Sequence, residues 1–208
     1  PTPNLERFKL PERKFLDEIP NEEKVLKNSA EIFYGMALGR RGLIDEAVEF
    51  SLWSIEKEKG ERGLQAVPSL APFLSRLYLM QGKLQACASM CGEYLDLSEK
   101  GEIKFIFANG SMMIDYGEVQ FERNNLEEAE KYVRGGLRAN EPWQNIMTDG
   151  FGLSALTRIL LADRKFPEAM QMVERFESRL KENAQPREFD EDCLTLKVRV
   201  CFERGEMG

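Results

Sequence analysis

The sequence predicts an all-α protein built from a stack of similar helix pairs. A short turn signature recurs at positions 42, 82, 124, 164 and 205, so its period stays between 40 and 42 residues. Its copies read Gly-Leu-Ile-Asp-Glu-Ala, Gly-Lys-Leu-Gln-Ala-Cys, Asn-Asn-Leu-Glu-Glu-Ala and Arg-Lys-Phe-Pro-Glu-Ala, and a fifth begins at Gly205. Between the turns, apolar residues recur three and four apart, as amphipathic helices require, and no stretch alternates like a strand. A constant period of this length is typical of a solenoid, whose function lies on an extended binding surface.

Helices are expected on both sides of each turn. The predicted helices are 22–41, 43–59, 68–81, 84–99, 102–123, 126–139, 143–163, 166–182 and 189–204. Loops containing Gly or Pro separate the pairs at 59–63, 140–142 and 184–186. Pro142 suits the first turn of a helix, whereas Pro72 is tolerable only if its helix begins near Ser69, because an interior proline removes a backbone hydrogen bond. Residues 1–21 are predicted to form an N-terminal extension and residues 22–208 the repeat domain.

Two columns of small residues accompany the turns. The first column, seven residues before the turn position, contains Gly35, Ser75, Gly117 and Thr157. The second column, five residues after it, contains Ala47, Cys87, Ala129 and Ala169. Helices that cross closely need small side chains where their axes approach. We therefore expect the two columns to meet within each pair.

This combination of a small residue, a Gly or Asn turn and a Glu-Ala step resembles the tetratricopeptide repeat. That repeat usually has about 34 residues, so a period near 41 adds about one turn to each helix. HEAT repeats have a closer period but lack the paired small-residue columns. The tetratricopeptide-like resemblance implies a right-handed superhelix of about four and a half antiparallel helix pairs.

A longer similarity connects the chain to the large ATP-binding LuxR-type (MalT-like) transcription regulators. It is carried by Tyr-Gly-Glu-Val-Gln-Phe-Glu-Arg-Asn-Asn-Leu-Glu-Glu-Ala-Glu at 116–130, by Arg-Gly-Gly-Leu at 134–137, by Phe-Leu-Asp-Glu-Ile-Pro at 15–20 and by Lys-Val-Arg-Val at 197–200. In that family the superhelix lies between a nucleotide-binding module and a helix-turn-helix, and it receives inducer and signal partners. The resemblance implies an effector-sensing and protein-interaction domain of a bacterial regulator. Because the chain shows neither a GxxxxGK[ST] run nor a basic recognition helix, it would be the sensor fragment alone.

Two other functions stay open. The chain could act as a free-standing tetratricopeptide scaffold or co-chaperone that binds peptide segments in its concave groove. It could also be an accessory domain of a signalling enzyme. A scaffold should bind short acidic or C-terminal peptides and ignore sugars and metabolites. A sensor should bind a small-molecule effector or a regulatory protein in the same groove.

Composition argues against catalysis, metal binding and nucleic-acid binding. The chain has no histidine, which removes Ser-His and Cys-His catalysis and the commonest metal ligand. Its net charge is −7 and no basic run exceeds two residues, so direct nucleic-acid binding by this segment is not expected. The cysteines match no zinc signature, and Cys87 and Cys91 are expected to pack as small core residues. No cofactor and no enzymatic activity are therefore predicted.

The same sequence predicts a cytoplasmic protein. No apolar run reaches the length of a membrane span, and the N-terminus has no signal peptide. The cysteine pattern favours a reducing compartment. Acidic clusters such as Glu127-Glu128 are expected to be solvated helix faces, because acid-base catalysis needs carboxylates that converge in a cleft.

The candidate binding residues lie on the first helix of each pair, which lines the concave groove in stacks of this kind. The predicted ligand-binding residues are Arg76, Glu118, Phe121, Arg158, Arg199 and Phe202. Arginine suits bidentate capture of carboxylate or phosphate, and the aromatic rings could stack on a sugar or a peptide. The alternative is that Glu118 lies between Arg76 and Arg158 and simply pairs with them. The last helix lacks a partner, so its apolar face should be exposed or covered by another chain, which predicts self-association.

Overall fold

The computed structural model describes residues 14–20, 23–62, 67–103, 108–183 and 188–205. Within these residues the chain contains ten α-helices and no strand. They are α1 Lys14–Asp17, α2 Lys24–Arg40, α3 Ile44–Arg62, α4 Val67–Met80, α5 Leu84–Glu99, α6 Asn109–Glu122, α7 Leu126–Asn140, α8 Ile146–Ala162, α9 Phe166–Asn183 and α10 Glu188–Glu203. Four antiparallel pairs, α2–α3, α4–α5, α6–α7 and α8–α9, are followed by α10. The predicted tetratricopeptide-like superhelix is confirmed.

In the pair α6–α7 the two helices meet at the predicted small-residue columns. Every member of both columns is buried. A Cβ atom on Gly117 of α6 would lie 2.6 Å from Cγ2 of Val133 and 3.0 Å from the carbonyl oxygen of Ala129 in α7. One turn further along the same crossing, a Cβ atom on Gly136 would lie 2.5 Å from the carbonyl oxygen of Gly110. Glycine is therefore what allows these two backbones to approach so closely.

Each turn is closed by a residue in the left-handed region of backbone space. The φ angles are 76° at Gly42, 68° at Gly82, 60° at Asn124, 57° at Arg164 and 72° at Gly205. In the first turn, the N–H of residue 43 donates to the carbonyl of Leu38, and the N–H of residue 42 donates to that of Gly39. The next three turns repeat this pair of hydrogen bonds. The recurring signature is thus a Schellman motif, which favours Gly or Asn at its left-handed position.

The predicted start of the third pair was wrong. The sequence predicts a helix from residue 102, but α6 begins at Asn109. Gly101 has a φ of 70° and closes α5, and Ile103 is buried outside any helix, in the core beneath α5. Periodicity cannot separate such an anchoring residue from the first turn of a helix. Residues 104–107 lie outside the described residues.

The predicted start of the fourth pair was also wrong, because Pro142 does not begin a helix. Residues 141–144 form a turn in which Gln144 has a φ of 49°, and α8 begins at Ile146. Asn145 caps α8, since its side chain accepts hydrogen bonds from the N–H groups of Met147 and Thr148 at 3.0 and 3.2 Å. The asparagine cap therefore determines where the helix starts.

The predicted loop at 59–63 was wrong, because α3 continues through it to Arg62. Other boundaries lie close to their predicted positions. Pro72 lies in the second turn of α4, which begins at Val67, two residues before the start that the proline required. The predicted loop at 184–186 lies outside the described residues, as do residues 1–13, 21 and 22. Within the predicted extension, α1 buries Leu16 against the cluster formed by α2, α3 and α4. The division between 1–21 and 22–208 stays a prediction.

The core continues from one pair to the next. Three apolar clusters follow one another along the stack, and each contains residues of neighbouring pairs. Such a core is stabilised mainly by nearest-neighbour stacking. At its last helix, Leu194, Val198 and Phe202 are exposed, as predicted for an apolar face without a partner. Self-association through this face stays a prediction.

The close crossing of α6 and α7 can be tested with Gly136→Ala. The added methyl group has no room beside the carbonyl oxygen of Gly110, so the free energy of unfolding should fall by about 1–3 kcal/mol. Gly92→Ala is the matched control, since nothing lies within 4 Å of a Cβ atom there. Alanine in that exposed helical position should stabilise the protein by about 0.5–1 kcal/mol. Chemical denaturation measures both, and equal effects would contradict the close crossing.

The fourth turn holds an arginine where the other turns have Gly or Asn. Because a left-handed residue with a side chain costs about 1–2 kcal/mol, Arg164→Gly should raise the free energy of unfolding by about 1 kcal/mol. Asn124→Gly should have a smaller effect, since asparagine tolerates this conformation. Thermal and urea unfolding of both variants would measure the difference. A destabilised Arg164→Gly protein would show that the arginine side chain, and not its backbone, is what matters there.

Candidate binding groove

The first helices of the pairs line a concave groove, as predicted for a stack of this kind. Its cavity encloses about 540 Å³, and α2, α4, α6, α8 and α10 all contribute to its walls. This volume falls within the usual range of ligand sites, about 300–1,000 Å³. Its lining includes Met36, Met80, Met147, Phe73, Phe151 and Phe189. The groove is therefore largely apolar and rich in methionine and phenylalanine.

Three of the predicted residues form a ladder of ion pairs across α4, α6 and α8. Nη1 of Arg76 donates to Oε1 of Glu118 at 2.6 Å, and Nη2 of Arg158 donates to Oε2 at 2.6 Å. The Glu118 side chain is only 13% exposed between them. All three residues stand six positions before a turn, so the repeat places them on successive helices. The pairing considered as the alternative to ligand binding is present, and ligand binding by the ladder stays a prediction.

Sequence reasoning missed a second carboxylate, Asp115. It is 1% exposed, pairs with Nη2 of Arg76, and accepts a hydrogen bond from Oγ of Ser75. Asp115 stands nine residues before its turn. The same position in the other repeats is occupied by Phe33, Phe73, Ala155 and Leu196. A single charged residue in an otherwise apolar column was the signal that could have identified it.

Burial and neighbouring charges act in opposite directions on this network. Burial raises the pKa of Asp115 to about 6, although Arg76 and Ser75 favour its charged form. Burial also opposes ionisation of Glu118, but Arg76 and Arg158 outweigh it and lower its pKa. The two carboxylates outweigh burial at Arg76 and raise its pKa. With both carboxylates ionised, the two arginines and two carboxylates balance, so the ladder has no surplus charge to offer an anion.

Aromatic rings lie against both arginines. The guanidinium carbon of Arg76 lies 4.1 Å from the ring centre of Phe151, and that of Arg158 lies 5.5 Å from the ring centre of Phe121. Both distances fall within the range of cation–π contacts. Phe121 was predicted and Phe151 was not. The half-buried Phe121 also packs against the core of the last two pairs, so its ring is engaged within the protein.

The remaining two predicted residues lie apart from this network. Arg199 and Phe202 are exposed on α10. Neither lines the cavity or contacts the ladder within the described part of the chain. Their positions relative to the turn match those of the other repeats, but no further described pair follows α10 to enclose them. The structure thus brings together Arg76, Glu118, Phe121 and Arg158, of which Arg76 lines the cavity, and leaves Arg199 and Phe202 outside.

Three of the four cysteines, Cys87, Cys91 and Cys193, lie in the core, and Cys201 is half-buried. Cys87 and Cys91 are buried with their sulfur atoms 3.9 Å apart, and all four cysteines are free thiols.

Among the described residues, no group of three His, Cys, Asp or Glu side chains could hold a metal ion. None of the helices in the described ranges combines the length and apolar character needed to cross a membrane.

Comparison with known proteins shows the fold. No protein family and no curated protein matches the chain. Two solved structures are similar: a protein of Podosopora anserina described as a kinesin light chain with nearly identical TPR-like repeats, and a glutamine-to-methionine variant of it. Each has a TM-score of 0.61 and 11% identity, and the match covers 86% of this chain and 87% of the other. At this identity the similarity establishes a TPR-like repeat architecture. Function must therefore be argued from the groove.

The pKa of Asp115 predicts a pH dependence of stability. Its value of about 6 in the folded protein lies above its ordinary value of 3.8, so the folded state binds more protons between these values. Stability should therefore decline as the pH rises through this window. Asp115→Asn should remove a decline of up to about 3 kcal/mol. The difference in free energy of unfolding, variant minus wild type, should therefore increase from about pH 4 to about pH 6.

Urea denaturation at a series of pH values measures this difference. Glu174→Gln, which removes an exposed carboxylate on α9, is the control and should leave the decline in place. If the Asp115→Asn and wild-type profiles ran parallel, the buried carboxylate would not be its cause.

Proposed function

We propose that this chain is a non-enzymatic protein-interaction module that holds a segment of a partner protein in its concave groove. The observation that carries the proposal is the apolar cavity, which is lined by the first helices of the four pairs and by α10. Methionine side chains are flexible and polarisable, so they adapt to partner side chains of different shape. A segment that places an apolar side chain among them is the ligand that this surface fits best.

The ion-pair ladder favours an apolar anchor over an anionic one. Both terminal nitrogens of Arg76 already donate to Glu118 and Asp115, so an anion that captured this guanidinium would have to displace a carboxylate, and breaking a buried ion pair costs about 3–5 kcal/mol. An apolar side chain that enters the groove gains about 1.5–3 kcal/mol from burial without breaking any pair. The ladder therefore serves to hold successive inner helices together beside the ligand.

The free thiols support a cytoplasmic location for this module. Cys87, Cys91 and Cys193 are buried and unpaired in disulfides, and Cys201 is half-buried. Proteins of oxidising compartments usually use such residues in disulfides, whereas reducing compartments keep them as thiols.

A second candidate function is the effector-sensing domain of a bacterial MalT-like, LuxR-type transcription regulator. It is favoured by the sequence similarity at 116–130 and by the long repeat, which gives helices such as α8 and α9 with 17 and 18 residues. The flanking coding DNA tests it. A phosphate-binding loop upstream and a helix-turn-helix downstream would support the regulator. Flanks that encode neither would leave the interaction module as the function.

Peptide display against the chain tests the groove. Peptides selected from a random library should share an apolar anchor residue. Met80→Lys places a charge in the groove at an exposed position and should weaken their binding by about tenfold or more, which corresponds to about 1.4 kcal/mol. Leu52→Lys, which replaces an exposed apolar residue on the outer helix α3, is the matched control and should bind like wild type. Selected peptides that bind both variants equally, or that share only acidic residues, would contradict an apolar anchor.

A further inference from the structure

The outer face of α10 carries an exposed apolar stripe. Leu194, Val198 and Phe202 stand four residues apart and are 63%, 45% and 67% exposed. The opposite side of the helix is buried in the core, through residues such as Cys193 and Val200. The helix therefore packs one side against the stack and presents a second apolar side to solvent.

The equivalent stripe of α8 shows what covers such a face. At the same distances from the turn, α8 carries Leu153, Thr157 and Leu161. All three are buried, and the two leucines belong to the apolar cluster that α8 shares with its antiparallel partner α9. Within the described residues, no helix covers α10 in this way. In the described part of the chain, the stripe on α10 is thus a helix-binding face that no helix covers.

The charges of α10 fit a second copy of the same helix in antiparallel orientation. Asp190, Glu191 and Asp192 are exposed near its start. Arg199 and Arg204 are exposed near and just beyond its end together with one carboxylate, Glu203, so this end is net basic. If two copies pair about Val198, the acidic residues of one copy lie beside Arg204 of the other. The helix dipoles are also opposed in this arrangement, which is favourable. A parallel pair would instead bring like charges together.

The apolar side chains fit the same arrangement. In an antiparallel pair centred on Val198, each Leu194 lies opposite Phe202 of the second copy, and the two valines meet at the axis. We propose that α10 is a symmetric dimer interface, in which the α10 of a second copy takes the place that α9 takes beside α8. The two-fold symmetry closes the assembly at two chains.

This dimer goes beyond groove binding and does not depend on it. α10 contributes Phe189 and Asp192 to the groove, whereas the stripe lies on its outer face. The dimer therefore couples two grooves, and a partner with two binding segments gains avidity from it. One helix of 16 residues is about 24 Å long and offers less than the usual area of a stable interface, so the dimer should be weak and depend on concentration.

Sedimentation velocity over a concentration series tests the dimer with a matched pair of variants. Phe202→Lys changes the stripe, and Phe33→Lys changes a phenylalanine on α2 that is equally exposed, at 69% compared with 67%. The wild-type mass should rise towards that of two chains, Phe202→Lys should weaken association by about tenfold or more, and Phe33→Lys should have no effect. A wild-type protein that stays monomeric overturns the proposal. Equal weakening by both variants also overturns it, because it indicates head-to-tail association.

Disulfide cross-linking tests the orientation, in a background where Cys201→Ser removes the half-buried native thiol. Val198→Cys should cross-link two chains. Leu194→Cys should not, because the two copies of residue 194 would be about 12 Å apart along the antiparallel helices, beyond the reach of a disulfide. Combining Leu194→Cys with Phe202→Cys should restore cross-linking. Cross-linking by Leu194→Cys alone, as efficient as that by Val198→Cys, indicates a parallel pair and overturns the proposal.

Discussion

The close approach of the two helices in each pair is the constraint on which the rest of the structure depends. Small residues such as Gly117 and Ala129 let the backbones come together, and the larger side chains around them then interlock. A Schellman turn at the end of the first helix directs the second helix back across it. Because buried small residues and the same turn recur in each pair, the pairs can stack with similar geometry. The core, the groove and the position of every inner side chain follow from that repetition.

Because the pairs stack at a constant period, residues that lie one repeat apart in the sequence form a row across adjacent helices. Arg76, Glu118 and Arg158 stand about one repeat apart, and they meet on adjacent inner helices. Each pair of charges therefore connects two successive repeats. A buried network of this kind specifies an arrangement more clearly than it adds stability, since desolvation offsets much of the attraction. Here it requires α4, α6 and α8 to lie in one particular alignment, with Phe151 and Phe121 against the guanidinium groups.

The groove and the exposed stripe of α10 differ in chemistry and lie on different sides of the stack. The charges of the ladder are satisfied by each other, and most of the groove lining is apolar, so its free binding capacity is mainly apolar. On α10, the apolar stripe between an acidic start and a basic end gives the surface a direction, which a uniformly apolar face would lack. A repeat protein can in this way bind a ligand along its concave side and associate through its last helix, without one contact obstructing the other.

The sequence by itself determined the features that repeat locally. The turn signature, the helical periodicity and the small-residue columns each depend on neighbours within one helix pair, and they predicted the fold and most helix boundaries. The starts of α6 and α8 were missed because Ile103 anchors to the core outside a helix and Asn145 caps the next one, and periodicity alone detects neither. Tertiary structure alone decided that Asp115 joins the ladder and that Arg199 and Phe202 stay outside it. Those outcomes depend on which helix of a different repeat lies alongside, and that is fixed by stacking between pairs.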